Sequence, residues 1–329
     1  MKKTDKPFML ILIVLTLAFN FNSSFSQSMV EYYEPTKDES FRIGTGDNDF
    51  LPFIQSGYTL MIPDNTPING VLIFLEDSGF DNKNISAKQV YENALSKDFA
   101  VLSVSTDIPF DFYFSKNSII TAHKLIEKAF SKHNLPNKNI FFLGASLTGH
   151  RAMRYIKHIK ESEDDFQLNI KGIVVCNFTM DWTRKWHQNR RDLKISKVDF
   201  WEPKFINYML ETYLEGTPIT NPEAYHNFSP YSYFDEENRN IEVYKAYTVR
   251  AYIEPAIKYR LKKHHRTLYE NNATDIVGFL SELQLAGNDN TDLIVMQPED
   301  NPSENKNAQS TWDAIDKKEL INWINDQLD

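Results

Sequence analysis

The stretch NKNIFFLGASLTGHRAMRYI, residues 137 to 156, runs from a hydrophobic strand through a serine among small residues and directly into a helix. Small neighbours let a strained turn hold a hydroxyl above a sheet edge, which is the arrangement behind the pattern G-x-S-x-G. Gly144 and Ser146 match that pattern. Thr148 stands where its second glycine would be, and Gly149 follows one place later. A serine at such a joint can also do no more than cap the helix. If Ser146 is a nucleophile, it needs a base and an acid that orients the base.

Around this joint, apolar runs rich in β-branched and aromatic residues alternate with helical patterns, which predicts an α/β fold with a mostly parallel, doubly wound sheet. The expected strands are YTLMI, GVLIFL, FAVLSVS, NIFFLG, KGIVVC, YKAYTVRAY and DLIVM. Ser86 and Ser118 are read as caps of two helices, and Trp312 to Leu328 as the final helix. From Trp182 to about residue 240 the chain holds no strand of the buried type but is dense in aromatics. A structureless loop of that length is uncommon, so 182–240 is read as an inserted helical cap. The expected layout is a leader at 1–27, a first core part at 28–181, the cap, and a second core part at 241–329.

The leader reading rests on MKKTDK, an apolar run from Phe8 to Phe19 and the small polar stretch NFNSSFSQS. That run is shorter than the span of about 20 residues that crosses a bilayer. A secreted or periplasmic protein with no membrane attachment after leader removal is expected. Its one cysteine, Cys176, leaves no internal disulfide to form. A formal charge of -9 argues against nucleic acid, which recruits clustered Lys and Arg.

On the elbow-like joint and the strand spacing around it, the chain resembles the α/β-hydrolase superfamily. The resemblance implies Ser146 as nucleophile, with the backbone N–H of Leu147 as one oxyanion donor and the loop of Glu76, Asp77, Ser78, Gly79 and Phe80 as the source of the second, at Ser78. Two carboxylates in that loop would oppose an oxyanion unless turned outward. The acid belongs after the strand YTVRAYI, where Glu254 stands before Pro255. Asp181, ending KGIVVCNFTMD, is the alternative acid.

The histidine of this fold follows the last strand, and from DLIVM to the end the chain has none. In NKNAQSTWDAIDKKEL the expected place is held by Gln309, whose amide cannot act as a general base. His150 lies one helical turn past Ser146, on a helix leading away from the hydroxyl, which predicts a surface or packing role. His187 and His226 fall in the cap. No metal or other cofactor is expected. WTRKWHQNRRDLK interleaves basic and aromatic residues, suited to an acidic or sugar-like ligand or simply to solvent. Two readings follow: a serine hydrolase for a small ester, thioester or amide with low or atypical activity, or an inactive pseudo-hydrolase that binds a ligand or partner.

Overall fold

The structure, a computed structural model, describes residues 28–34, 56–64, 67–75, 85–106, 116–195, 201–296 and 311–328. The expected leader, Ser78 with its loop, and Gln309 lie outside these residues. In chain order the strands are β1 (Ser28–Tyr33), β2 (Gly57–Ile62), β3 (Gly70–Leu75), β4 (Phe99–Ser105), β5 (Ile140–Ala145), β6 (Ile170–Cys176), β7 (Thr248–Ile253) and β8 (Thr291–Val295). The helices are α1 (Ile85–Leu95), α2 (Lys116–His133), α3 (Leu147–Glu161), α4 (Trp182–Ile195), α5 (Trp201–Tyr213), α6 (Pro222–Phe228), α7 (Ile241–Tyr244), α8 (Ile257–His264), α9 (Asn272–Leu285) and α10 (Lys317–Asp326).

The eight strands form one sheet in the order β1-β2-β4-β3-β5-β6-β7-β8. The β1–β2 and β2–β4 pairs are antiparallel and every pair from β4 to β8 is parallel. The continuous apolar run GVLIFL is what a strand covered on both faces requires. Val71, Ile73 and Leu75 join the core under α2, α3 and α9, whereas Leu72 and Phe74 point to the opposite core with α1 and α10. Helices thus cover both faces, and the described strand-to-helix joints, after β5, β6 and β7, open at one edge.

Four details differ from the sequence reading. Strand β1 had no counterpart in it: SMVEYY is an edge strand with an exposed face, and its apolar signal is weak. Residues YKAY before β7 are not strand, because Ile241–Tyr244 is a short helix whose Tyr244 is buried against Phe279. The last helix starts at Lys317, where Asp316 caps the backbone N–H groups of Lys318 and Glu319. Ser118 sits inside the first turn of α2, which starts at Lys116, and so is not its cap.

Between β6 and β7, α4, α5 and α6 build an apolar cluster of their own from Trp182, Trp186, Ile206, Leu210, Tyr225 and Phe228. A buried ionic joint ties this layer to the sheet domain. Arg184 of α4 binds Asp275 of α9 through Nε and, at 2.7 Å, through Nη2. Asp275 also accepts the backbone N–H groups of Met180 and Asp181. Among the described residues no helix is long and apolar enough to cross a membrane.

Removing one member of a buried ion pair leaves the other charge desolvated, at a cost of about 3 kcal/mol or more. Asp275→Ala is expected to lower the unfolding free energy by that amount in equilibrium urea titrations. A loss under about 0.5 kcal/mol, the usual range of surface changes, would show that the joint contributes nothing to stability.

Candidate active site

Ser146 follows β5 directly and precedes the first residue of α3, with φ 53° and ψ -127°. A non-glycine residue at positive φ is strained and persists only where its surroundings dictate it. Those surroundings are visible. The Ser146 N–H donates to the Cys176 carbonyl at 3.1 Å, carrying the β5–β6 ladder one residue further. Thr148 Oγ1 folds back on Ala145, accepting its N–H at 2.9 Å and donating to its carbonyl at 2.7 Å. A Cβ on Gly144 would stand 2.4 Å from Gly149 Cα, so at these two positions strand and helix touch backbone to backbone. The close approach that the serine motif assigns to its second glycine is made here by Gly149. Thr148 latches the turn instead.

The outcome is an exposed Ser146 side chain at the N-terminus of α3, whose first N–H groups have no intrahelical acceptor. Leu147 supplies the first of these. The positive end of the helix dipole favours negative charge at that point.

A cavity of about 340 Å³ opens beside Ser146. Its floor comes from the core through Leu147, His150 and Phe178, and its roof from the cap through Trp182, Lys185, Phe205 and Ile206. Thr179, Glu202 and Asn272 complete the lining. The wall is mostly apolar with a few polar groups, the usual make-up of a small-molecule site.

His150 is 1% exposed. Its Nδ1 lies 3.1 Å from the indole Nε1 of Trp182. Indole N–H can only donate, so Nδ1 accepts and the proton of the neutral ring sits on Nε2. Nε2 has no partner among the described residues. Burial, followed by the nearby Arg154 and Arg151 cations, pushes the imidazole well below its ordinary value.

Glu254 follows β7, and its carboxylate accepts from Thr311 Oγ1 at 3.1 Å. Thr311 Oγ1 in turn lies 3.2 Å from the Asn177 side-chain amide, which donates to it. Ser146, Asn177 and Glu254 therefore leave the carboxyl ends of three neighbouring parallel strands. Adjacent strands are about 4.8 Å apart, so the Glu254 backbone sits roughly twice that from the Ser146 backbone. The chain segment ending at Thr311 carries Gln309 two residues earlier.

Asp181 is placed differently. One carboxyl oxygen caps α4 by accepting the Arg184 N–H at 2.9 Å, and the other accepts the Tyr233 N–H at 3.0 Å. Burial and the neighbouring Asp275 charge raise its carboxyl to about 6. It does not line the cavity, and neither do Glu254, His187 or His226. Sequence reading missed Lys185 as a cavity residue, because WTRKWHQNRRDLK scans as a solvated basic helix. Trp182 and Trp186 flanking it were the signal that this face turns inward.

No protein family matches the chain, nor does any curated protein. Solved structures do. The chain is similar to carboxyl esterase 2 from the mycorrhizal fungus Tuber melanosporum, at TM-score 0.53 and 11% identity over 94% of this chain and 88% of that one. It is also similar to FphF, a fluorophosphonate-binding serine hydrolase of Staphylococcus aureus, at TM-score 0.51 and 12% identity over 91% and 98%. For the Pyrococcus horikoshii acylaminoacyl peptidase the TM-score is 0.55 and the identity 11%, with 96% of this chain covered but 43% of that one. Identities this low speak for the backbone architecture alone: the chain has the α/β-hydrolase fold.

Proposed function

We propose that the protein is a serine hydrolase of small carboxylic esters, thioesters or amides, and that Ser146 is its nucleophile on a nucleophile elbow. The observation that carries this reading is the strained Ser146 backbone, which holds the hydroxyl exposed at a helix N-terminus beside an apolar cavity. Strain of this kind is maintained against a cost of order 1–3 kcal/mol and clusters at functional sites. In the reaction the Oγ attacks the carbonyl carbon. Its oxygen becomes anionic at the α3 N-terminus, where the Leu147 N–H can receive it, and the leaving group departs with a proton. Water then hydrolyses the acyl-serine.

Activation of Ser146 is the weak step. His150 cannot serve as base through Nδ1 without turning the Trp182 N–H against a proton, and its Nε2 already carries one. Glu254, the expected acid, would orient a bridging group, and Gln309 in the expected histidine place would offer no basic nitrogen. An elbow without a base keeps only a remnant of its rate through oxyanion binding and positioning. The same observation supports a second reading, a pseudo-hydrolase that binds without turnover.

A fluorophosphonate probe separates the two. Covalent labelling of Ser146, located by mass spectrometry and lost in Ser146→Ala, is expected from the hydrolase. A folded protein with no adduct refutes it. Restoring the imidazole by Gln309→His is expected to raise ester hydrolysis by at least about tenfold, since general-base catalysis contributes on the order of 10²–10⁴. No gain would mean that Gln309 does not lie between Glu254 and Ser146. For His150, nitrogen NMR is expected to find a neutral Nε2–H ring at pH 6.5, because burial holds the imidazole well below the ordinary histidine value. A titration near pH 6.5 would contradict that assignment.

A further inference from the structure

Lys185 projects from the cap into the wall of the cavity that contains Ser146. Its side chain is half-buried. Among the described residues it makes no hydrogen bond and no ion pair. The charged groups around it are Arg184 of α4, Asp192 at the other end of α4, Arg266 beyond α8 and Glu202 of α5. Arg184 is held by Asp275, and Arg266 and Asp192 hold one another through both guanidinium and carboxylate forks. Glu202 is exposed at the cavity wall, and no ion pair joins it to Lys185. The ammonium is thus the one cation in this group whose charge is not met by a salt bridge among the described residues.

A half-buried cation with no salt-bridge partner is costly, and such groups are resolved by deprotonation or by an anion. We propose that Lys185 is the anion-recognition residue of this cavity, and that the ligand part seated beneath the cap carries one carboxylate on an apolar stem. The stem is implied by the walls, which are Leu147, Phe178, Trp182, Phe205 and Ile206. A single carboxylate is preferred over phosphate on two counts. Among the described lining residues there is one cation and no arginine fork to grip a dianion, and the Glu202 charge on the same wall penalises a second negative charge. The identification of this ligand as a substrate, an ester or amide bearing a free carboxylate on its acyl side, rests on the reading of Ser146 given above. The anion binding does not.

The protonation state sets a pH window. Burial is the main cause that brings the Lys185 ammonium down to about 8, with Glu202 opposing the shift. It is therefore charged at pH 7 and loses its charge as the pH rises through 8 towards 9, so anion affinity falls over that interval.

The test uses the full chain with Ser146→Ala, which removes turnover, and calorimetric titration with 4-phenylbutyrate and its uncharged amide, 4-phenylbutanamide. The carboxylate is expected to bind about tenfold or more tighter than the amide at pH 7, the scale of a hydrogen bond to a charged group. That preference should disappear in Lys185→Met, persist in Lys185→Arg and fade between pH 7 and pH 9 while amide binding stays constant. Equal affinities for the two probes, an undiminished preference in a Lys185→Met protein with wild-type thermal unfolding, or no binding of either probe would overturn the proposal. Failure of Ser146 itself is read separately, from fluorophosphonate labelling of the unsubstituted protein.

Discussion

The backbone contact between Gly144 and Gly149 constrains everything else at the carboxyl edge of the sheet. A Cβ on Gly144 would meet the Gly149 Cα at 2.4 Å, and one on Gly149 would meet Phe178 Cδ1 at 2.5 Å. The chain can pass from β5 into α3 this abruptly only because both positions lack side chains. That abruptness is what drives Ser146 into positive φ and leaves its side chain outside the packed joint. Phe178, pressed on Gly149, then becomes part of the cavity floor. One close approach thus fixes the serine, the helix axis behind it and a wall of the adjoining space.

The other wall depends on a different interaction. The cap helices have their own apolar cluster, which could sit at more than one angle on the core. The Arg184–Asp275 pair and the Trp182–His150 hydrogen bond make one arrangement preferable, because each group would be buried without a partner in any other. Asp275 receives the Met180 and Asp181 N–H groups as well, so the strand end, the first turn of α4 and α9 meet at one carboxylate. The position of Lys185, one residue past Arg184, follows from this anchoring. Sequence next to a buried ion pair is sequence whose orientation is determined.

Much of this was legible in the residues. The parallel strands announce themselves because a strand covered on both faces must be apolar throughout, as GVLIFL and FAVLSVS are. The serine joint was legible for a similar reason: only small residues can make it. The displaced glycine contact was not, since Thr148 matches no side-chain rule until its hydroxyl is seen bonded to Ala145. Strand β1 escaped because an edge strand with a wet face carries little hydrophobic signal. Lys185 escaped because periodicity reports which residues share a helix face, and says nothing of whether that face meets water or a second layer. Glu254 was the expected acid and Asp181 the alternative, each a carboxylate after a parallel strand. The structure distinguishes them by what occupies their oxygens: two backbone N–H groups for Asp181, and a threonine hydroxyl on the Gln309-bearing segment for Glu254.

That distinction bears on how this edge could work as a catalyst. A nucleophile and an acid two strands apart need a group of intermediate length between them, accepting a proton on one side and donating to the carboxylate on the other. Imidazole has both functions on opposite sides of a rigid ring. A glutamine side chain can span the gap and donate to Glu254, but its amide oxygen offers Ser146 a hydrogen bond without taking the proton away. Glutamine would therefore preserve the geometry and remove the driving force. In such a site the hydroxyl stays neutral, and the energy available from the cavity, the helix N-terminus and a cation at Lys185 goes into holding a ligand rather than breaking it. Turnover in such a site rests on how far positioning alone lowers the barrier for a ligand bound against the helix N-terminus.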